Sequence, residues 1–390
     1  MAKSHLNVAF VHNAFIEYRI PLFEKLSLDY DISFYFEWFD SSLSRSKPTF
    51  KFQFLKSTKI TNNYSFSPLL FFYLLKGRYN LFIAGAIGQI NTYITNLVSR
   101  LLRKPFIYWD ENWYWPSTKL RRLAWPIILQ TLKNAQAIVV PGSKAKDFYL
   151  SINPQLKNKI FIAPNTSLLP ENQNIHAQAD LLRKSLKLNG KKVILYCGRL
   201  IRVKGFEHLI KAFSKLQQYD ADTVLLVMGG MYGSGSKYSP EEIKSMYSIY
   251  GDDKVQFTGT IRNPRKAAYF LLADVVVVPS IFMADEYEVW GFAVNESMSV
   301  GKPVIATTAV GAAYDLIQNG INGYIVPDKD SEALFQAIKM VIADSSKQKE
   351  MGAQSLLILQ KGFTYKSMSL GFKKAIKFAL SKFSQKKHTT

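Results

Sequence analysis

The chain has 390 residues, more than one hydrophobic core normally serves, so its length predicts two domains. Hydrophobic residues make up 48% and charged residues 20%, which excludes an intrinsically disordered chain. Lys and Arg outnumber Asp and Glu by 50 to 29, and the formal net charge of +21 predicts a partner or surface of opposite sign. The one cysteine, Cys197, excludes an intramolecular disulfide and a thiolate zinc site.

The apolar runs of the chain are short. The longest extends from Leu69 to Leu75, whereas a membrane-spanning helix needs roughly 20 residues. At the N-terminus, residues 1–5 lead straight into the strand-like segment Leu6–Val11, so no signal peptide is expected. We therefore expect a cytoplasmic protein.

Short apolar runs alternate with helical patterns along the first half, as is typical of βα units around a parallel sheet. The segment Ser67–Arg78 fits either a buried helix or a lipid-facing lip. The predicted helices are Pro21–Leu28, Gln89–Arg103 and Thr118–Lys133. The predicted strands are Val8–Val11, Ile32–Phe36, Leu81–Ala84, Phe106–Trp109, Ala137–Val140 and Ile160–Ile162.

A polar stretch from Pro164 to about Asn174 is interpreted as a linker, after which the pattern restarts. Two similar halves predict two Rossmann-like α/β domains, residues 1–170 and 171–363, that face each other across a cleft. Ligands of such folds bind beyond the carboxyl ends of the strands. The predicted strands of the second half are Val193–Cys197, Val224–Met228, Val255–Phe257, Val275–Val278, Val304–Ala306 and Tyr324–Val326.

The C-terminal tail is strongly basic, with eight lysines and no Asp or Glu in its last thirty residues. At helical spacing, one face of this tail is apolar. The helix, residues 364–385, either packs back on the first domain with its lysines in water or faces anionic lipid. The apolar face consists of Phe372, Ile376, Ala379, Leu380 and Phe383.

The segment Glu-Val-Trp-Gly-Phe-Ala-Val-Asn-Glu, residues 288–296, holds two carboxylates eight positions apart. Glu288 lies in an aromatic loop, and Glu296 lies on a helix predicted to begin near Phe292. The helix N-terminus at Gly291 to Ala293 offers backbone N–H groups and a partial positive charge, which suit a diphosphate. The two glutamates can then accept hydrogen bonds from hydroxyls on either side of it. Two solvated glutamates that flank a buried helix are the alternative.

Two cations precede a helix in the segment that begins at Gly198. A strand ends at Cys197, and the glycine permits a tight exit. Arg199 can hold a phosphate with two parallel hydrogen bonds, whereas Lys204 acts as a point charge. An ordinary solvated loop is the alternative.

Further motifs follow in order: Gly229-Gly230, Gly259-Thr-Ile261, Pro279-Ser280 and Val310 to Pro327. With the two segments above, they make the second half similar to the retaining GT-B glycosyltransferases of family 4, also called glycosyl transferases group 1. The resemblance implies two Rossmann-like domains across a cleft. It also implies transfer of a sugar from a nucleoside-diphosphate sugar to a hydroxyl acceptor, with retention of configuration.

The resemblance assigns the donor-side residues. Glu288 would contact donor-sugar hydroxyls and Glu296 the ribose diol, and Asp285 and Glu286 compete with Glu288 for its role. Cations would neutralise the departing diphosphate, so that no metal and no cofactor is required. The implied catalytic residues on this side are Glu288, Arg199 and Lys204. The remaining implied donor-binding residues are Gly259, Ile261, Gly291, Phe292 and Ala293.

The first half holds fewer motifs. His12 and Glu17 follow the first predicted strand, where they would face the cleft, and a plain loop histidine is equally compatible with the pattern. Relatives often carry a catalytic His or Asp after the strand that ends here at Trp109, and Asp110 matches best. It would accept the acceptor's proton or support the oxocarbenium-like sugar. A capping or salt-bridged Asp is the alternative, and Glu111 is the alternate residue.

Four of the six tryptophans lie within seventeen residues, beside several cations, which suits either a sugar-stacking acceptor pocket or a membrane interface. We therefore predict an acceptor site that contains His12, Glu17, Glu111 and Trp113. The four tryptophans are Trp109, Trp113, Trp115 and Trp125.

The charge favours a glycan or lipid-linked acceptor at an anionic membrane surface, with the protein peripheral at the inner membrane face. Two alternatives stay open. One is a nucleotide-sugar epimerase or a phosphorylase-like enzyme with the same fold. The other is a basic nucleic-acid-binding protein, although the cations are spread over both halves and no nucleic-acid module is recognised. A nucleic-acid partner is therefore not expected.

Overall fold

The computed structural model describes residues 6–39, 48–61, 64–85, 89–115, 119–170, 174–231, 235–251, 253–284 and 286–387. The chain divides into unit 1, residues 1–166 with 364–390, and unit 2, residues 167–363. Both units are α/β domains with a parallel sheet, as the alternating pattern predicts. The division falls a few residues before position 170, where sequence analysis placed it.

Unit 1 contains a seven-stranded parallel sheet and a two-stranded hairpin. The strands in chain order are β1 (Asn7–Phe15), β2 (Asp31–Phe39), β3 (Lys51–Phe54), β4 (Thr58–Thr61), β5 (Tyr64–Phe66), β6 (Leu81–Gly85), β7 (Phe106–Trp109), β8 (Ala137–Val140) and β9 (Ile160–Ile162). The sheet order is β3-β2-β1-β6-β7-β8-β9, and β4 pairs with β5. Sequence analysis missed β3 because this edge strand is exposed throughout and lacks the apolar run of a buried strand.

Helices cover both faces of this sheet. They are α1 (Ile20–Asp29), α2 (Pro68–Lys76), α3 (Ile90–Leu101), α4 (Lys119–Asn134) and α5 (Ser143–Ile152). One core cluster joins α1 to residues such as Phe10 and Phe34 of the sheet. A second core cluster joins the four helices α2, α3, α4 and α5 to the opposite face of the sheet, through residues such as Leu74, Val98 and Ile128. Hence α2, α3, α4 and α5 lie on one side of the sheet and α1 on the other.

Unit 2 contains a six-stranded sheet in which every strand pair is parallel. All six predicted strands are present. Its strands are β10 (Lys192–Cys197), β11 (Thr223–Met228), β12 (Val255–Gly259), β13 (Val275–Val278), β14 (Val304–Thr307) and β15 (Gly323–Val326). Its helices are α6 (Ile175–Ser185), α7 (Phe206–Tyr219), α8 (Pro240–Tyr247), α9 (Lys266–Leu272), α10 (Phe292–Ser299), α11 (Ala313–Leu316), α12 (Ser331–Ile342) and α13 (Ser345–Gly362).

In both sheets the strand order reverses beside the first strand. In unit 2 the order is β12-β11-β10-β13-β14-β15, so the reversal lies between β10 and β13. In unit 1 it lies between β1 and β6. Doubly wound sheets bind ligands at such a point, just outside the carboxyl ends of the strands. A binding site is therefore expected in each unit at the reversal point, beside the carboxyl ends of the strands.

The last helix, α14 (Tyr365–Lys387), belongs to unit 1. Its apolar face lies in the core, where the Phe372 ring is 5.1 Å from the Trp109 ring. Lys373 forms an ion pair of 2.5 Å with Asp29 of α1. Of the two interpretations of the basic tail, the packed helix therefore describes the structure, and this apolar face is not offered to lipid.

Among the described residues, no helix combines the length and the apolar character that a membrane crossing needs.

Candidate functional site

The loops after β10 and β13 pack tightly against each other at the reversal point of unit 2. Gly205 has a φ of +65°, and a Cβ there would lie 1.9 Å from the carbonyl oxygen of Pro279. The backbone N–H of Ile281 also donates to the carbonyl of Val203 at 2.9 Å. This close approach needs a glycine, and it sets Lys204 beside the residues that follow β13.

Lys204 and Glu288 form an ion pair at this point. Their side chains are 20% and 13% exposed, so the pair is partly shielded from water and still accessible. The hydroxyl of Ser280 donates to the same carboxylate at 3.3 Å. Two residues that sequence analysis chose from separate motifs, 84 positions apart, are thus brought together. Partial burial strengthens their electrostatic action on a charged ligand.

Helix α10 begins directly after this pair. Gly291 is its N-cap, with a φ of +92°, and a glycine has no side chain with which to cap the helix. A Cβ at Gly291 would lie 2.7 Å from Val310 and 3.5 Å from the Glu288 side chain. The helix start therefore approaches Glu288 as closely as only glycine permits, and its N–H groups carry the partial positive charge that favours an anion.

Glu296 lies inside α10 and is buried. Lys266 at the start of α9 forms an ion pair of 2.6 Å with its Oε2 atom, and the Ser167 hydroxyl donates to its Oε1 atom at 3.1 Å. A buried carboxylate requires such partners because burial without them is costly. Lys204, Glu288, Lys266 and Glu296, together with the α10 start, are called the ion-pair edge below.

The competing acids have other places. Both carboxylate oxygens of Glu286 accept hydrogen bonds from the backbone N–H of Ser236, at 3.0 and 3.1 Å. Asp285 lies outside the described residues. Glu288 is therefore the acid of this loop that the described contacts join to Lys204.

The donor-binding candidates Gly259 and Ile261 lie at the carboxyl end of β12, the edge strand of the sheet. The carbonyl of Gly259 accepts a hydrogen bond of 2.9 Å from the N–H of Gly229, and Ile261 packs partly against the core. Gly259 thus lies beside the carboxyl end of β11. Phe292 and Ala293 form the first turn of α10, as sequence analysis expected from the helix pattern.

Two further groups report the electrostatics of the edge. Burial raises the pKa of the Cys197 thiol to about 11, with Lys266, Glu296 and Lys204 near enough to act on it. Burial also raises the pKa of Tyr196, whose hydroxyl donates to the carbonyl of Arg199 at 2.7 Å. The cysteine is thus a neutral thiol at neutral pH, and Tyr196 fixes the backbone at Arg199.

In unit 1 the placement of His12 differs from the prediction. Strand β1 extends to Phe15, so His12 lies within it and not in a loop after it. Its ring is 4.7 Å from the Trp109 ring, and its Nδ1 atom lies 3.0 Å from the carbonyl oxygen of Ala14. Burial and the nearby Arg19 lower the pKa of His12 to about 3. His12 is therefore a neutral, buried residue near the reversal point.

Arg19 is the cation of this region and is only 3% exposed. Its guanidinium lies 4.5 Å from the centre of the Trp109 ring, donates to Asn165 Oδ1 at 3.0 Å and forms an ion pair with Glu111. Burial lowers its pKa. Glu111, 24% exposed, is the most accessible member of this ion pair. His12, Arg19, Trp109, Glu111 and Asn165 are called the buried-arginine cluster below.

Asp110 is almost fully buried in unit 1. Its carboxylate accepts hydrogen bonds from the side chain of Asn112 at 2.9 Å, from the backbone N–H of Asn112 at 3.3 Å and from the Tyr149 hydroxyl. Burial, together with the Asp110 charge, raises the pKa of Tyr149. The sequence left a capping or salt-bridged Asp as the alternative to a catalytic one, and the contacts found for Asp110 are hydrogen bonds to neighbouring groups of unit 1.

The remaining acceptor candidates are half-buried. Trp113 packs against the core of unit 1 with the Lys144 ammonium 5.3 Å from its ring centre. Glu17 lies in the 3-10 helix Glu17–Arg19, which directly precedes α1. That short helix follows β1 and carries Arg19 back toward Trp109.

No group of three or more His, Cys, Asp or Glu side chains placed to hold a metal ion occurs in the described part of the chain. Asp-x-Asp spacing does occur in the sequence at Asp29 to Asp31, Asp220 to Asp222 and Asp328 to Asp330. In the first two of these, every aspartate pairs with a lysine. Asp328 accepts from the backbone N–H of Phe282 at 3.0 Å.

The sequence did not predict which residues pair with Glu296 and Glu111. Lys266 lies 30 positions before Glu296, Ser167 lies 129 before it, and Arg19 lies 92 before Glu111. The available signal for Lys266 was weak: it ends the basic run Arg262-Asn-Pro-Arg-Lys266 at a predicted strand exit. No local pattern marked Arg19 or Ser167.

The architecture is that of the GT-B glycosyltransferases. The chain superposes on the Anabaena protein HepE in complex with UDP with a TM-score of 0.77 and 16% identity, covering 95% of this chain and 100% of that one. A HepE complex with UDP-glucose gives a TM-score of 0.74 at 17% identity. At these identities the likeness establishes the fold.

Residues 177–356 match the family described as "Glycosyl transferases group 1", and this stretch lies within unit 2. An uncharacterized glycosyltransferase of Methanocaldococcus jannaschii is 28% identical over 219 residues, 55% of this chain and 53% of the relative. A D-inositol 3-phosphate glycosyltransferase of Corynebacterium aurimucosum is 25% identical over 240 residues, 61% of this chain and 55% of the relative. The chain thus spans about half the length of these curated relatives.

Proposed function

We propose that the protein is a retaining glycosyltransferase of family 4 that moves a sugar from a nucleoside-diphosphate sugar to a hydroxyl acceptor. The ion-pair edge carries this proposal. Two lysine–glutamate pairs and a helix start with glycine as its N-cap meet at the reversal point of a sheet whose sequence matches glycosyl transferases group 1. Such an edge offers cations and N–H groups to a diphosphate and carboxylates to hydroxyl groups.

Binding of the donor would exchange the partners of the first pair. The diphosphate takes the ammonium of Lys204, with Arg199 as a second cation, and Glu288 is released to accept hydrogen bonds from sugar hydroxyls. Ser280 stays within reach of Glu288 and holds its orientation. Glu296, fixed by Lys266 and Ser167, accepts from the ribose diol.

The reaction breaks the bond between the anomeric carbon and the diphosphate oxygen. The electron pair leaves with the diphosphate, where Lys204, Arg199 and the α10 start stabilise the growing negative charge. The acceptor oxygen forms the new bond on the same face of the sugar, and its proton passes to the departing diphosphate. Because the protein's own cations supply the charge stabilisation, we propose that no metal or other cofactor is required.

The names of the structural neighbours indicate which donors to test first. HepE is described in complex with UDP and with UDP-glucose, so uridine nucleotides come before GDP and ADP. For the acceptor, we propose a glycan or lipid-linked hydroxyl compound at an anionic membrane surface, with the protein peripheral at the inner face. The positive charge of the chain supports this partner.

The test is a thermal-shift and calorimetric screen of UDP, GDP, ADP and their common sugar conjugates, each with Mg²⁺ and with EDTA. A ligand at about 100 times its Kd stabilises the folded state by about 2.7 kcal/mol. We expect one nucleotide series to bind equally well in both conditions. Binding only with Mg²⁺ would contradict the metal-independent proposal, and binding of none would contradict the donor site.

Glu296→Ala is the matching variant for this screen. Loss of a charged hydrogen-bond acceptor should weaken nucleotide binding by roughly 1.5–3 kcal/mol. Glu332→Ala is the control, because Glu332 also pairs with a lysine, Lys215, but on an exposed surface of unit 2. Equal losses in the two variants would remove Glu296 from the site.

A further inference from the structure

Three neighbouring helices of unit 1 each expose a pair of large apolar side chains, three or four positions apart. Such spacing places both members of a pair on one face of their helix. Exposed groups of this kind are normal when they are single and mark an interaction surface when they are contiguous. The exposed fractions are 46% for Leu69 and 55% for Phe72 on α2, 47% for Leu97 and 58% for Leu101 on α3, and 77% for Leu123 and 54% for Ile127 on α4.

The three pairs belong to one surface. Helix α3 packs against both α2 and α4, and all three cover the same side of the sheet. Their inward residues, such as Leu74, Val98 and Ile128, are buried in a shared core cluster. The exposed pairs therefore point away from the sheet along three adjacent helices. These six residues and the helix surface between them are called the α2–α4 face.

The three helices that form this face carry charge of one sign. Residues 41–146 contain sixteen Lys or Arg and two acids, Asp110 and Glu111. Those two acids bond inside unit 1, to Tyr149 and Arg19. No acidic residue occurs in α2, α3 or α4, and Lys76, Arg100 and Arg122 are exposed on them. Lys76 follows Phe72 by four positions and Arg100 follows Leu97 by three, so cations and apolar groups are interleaved.

This combination selects one partner. A second copy of the chain would bring the same positive charge against itself, and nucleic acid would leave five of the six exposed apolar groups, all aliphatic, without a partner. An anionic bilayer provides a partner for the cations and for the apolar side chains alike. The cations bind its head groups, while leucine and phenylalanine enter the boundary between head groups and acyl chains. We propose that the α2–α4 face docks unit 1 on an anionic lipid bilayer. This inference deepens the membrane partner proposed above and is independent of the sugar-transfer chemistry.

The test is cosedimentation of the full chain with phosphatidylcholine vesicles that contain or lack phosphatidylglycerol. The apolar variant combines Leu123→Gln and Ile127→Gln, and the charge variant combines Lys76→Gln and Arg100→Gln. The control combines Ile249→Gln and Leu181→Gln, because these residues of unit 2 are 77% and 67% exposed. We expect binding to anionic vesicles only, weakened about tenfold by the apolar variant, about fivefold per cation by the charge variant and not at all by the control.

Three results would overturn the proposal: equal binding to both kinds of vesicle, equal losses in the apolar variant and the control, or no binding at low salt. A dimer in sedimentation velocity that the apolar variant abolishes would assign the face to a second copy instead. The donor screen in solution keeps the two proposals apart. Vesicle binding with no nucleotide binding would contradict the proposed glycosyltransferase function. Nucleotide binding without vesicle binding would contradict the proposed docking of the α2–α4 face on a bilayer.

Discussion

The two units share a strand order but differ sharply in charge. Lys and Arg outnumber Asp and Glu by 28 to 9 in unit 1 and by 22 to 20 in unit 2. The excess charge of the chain is therefore concentrated in unit 1, although the cations themselves are spread over both halves. The charge of unit 2 is nearly balanced, and its Lys204 and Lys266 pair with carboxylates. In unit 1 the cations outnumber the acids about threefold.

The reversal points differ in the same way. At the ion-pair edge of unit 2, Lys204 and Glu288 stay 20% and 13% exposed, so a ligand can reach both charges. In unit 1 the corresponding place is filled by Trp109, His12 and Arg19, all nearly buried. Similar sheets thus yield an accessible charged site in one unit and a packed aromatic cluster in the other. Substitutions should affect ligand handling in the first and folding stability in the second.

The largest effect on stability is expected from Arg19→Met. Removal of one partner from a buried ion pair leaves the other without compensation and typically costs about 3–5 kcal/mol. Because Glu111 is 24% exposed, water can relieve part of this loss, so the lower end of the range is expected. Urea unfolding of the full chain measures it. Lys373→Met removes a more exposed ion pair of the same unit and serves as the control. A loss no larger than that of the control would mean that the cluster does not stabilise unit 1.

Lys204→Met should act on turnover instead. Loss of one preorganised donor to a developing anion typically lowers kcat by 10² to 10³, or about 2.7–4 kcal/mol. The measurement is steady-state transfer with the donor that the screen identifies, beside urea unfolding of the same variant. Lys191→Met is the control, since Lys191 pairs with Asp222 on the surface of unit 2. Loss of stability without loss of turnover would reverse the contrast between the two units.

Much of this organisation was accessible from sequence because it depends on local patterns. The strands of unit 2 are buried runs such as Val275–Val278, and Gly291 and Glu288 stand in a short motif at a helix start. The apolar face of α14 follows from spacing within one helix. These features need no knowledge of distant residues.

What the sequence could not supply are the contacts between distant positions. Glu296 is held by Ser167, and Arg19 is held by Glu111 and Asn165, over separations of 92 to 146 positions. The end of β1 was also missed, because His12 and Asn13 interrupt the apolar run while the strand continues to Phe15. Its pairing with β2 extends to that residue and outweighs the local polarity.

The pH dependence of stability provides the next test. The pKa of His12 is lowered to about 3 in the folded protein, against about 6.5 in an unfolded chain. Below pH 6.5 the unfolded state therefore binds a proton that the folded state does not, so stability is present above 6.5 and is lost as the pH falls toward 3. The slope approaches about 1.4 kcal/mol per pH unit, or roughly 2 kcal/mol between pH 6.5 and 5.

Urea unfolding at pH 7, 6 and 5 measures this slope, and His12→Gln should reduce it. Burial is the main cause of the shift, with Arg19 as the charged neighbour and Phe23 and Trp109 as the packed rings. His176→Gln is the control because His176 is exposed on α6. If the control reduces the slope as much as His12→Gln does, the pH dependence of stability does not originate in the buried-arginine cluster.

The smallest effect is expected from Asp110→Asn, which asks whether unit 1 contributes a catalytic carboxylate. Asn keeps an acceptor for one donor, and the Tyr149 hydroxyl can turn to donate or accept, so the loss of stability should be about 1 kcal/mol. Because the Asp110 carboxylate is already bonded to Asn112 and Tyr149, we expect kcat of the variant to stay within about threefold of the parent enzyme. Loss of a general base would lower kcat far more. Stability and kcat measured on one preparation decide the point: a hundredfold fall in kcat at unchanged stability would make Asp110 catalytic and give unit 1 a reactive edge of its own.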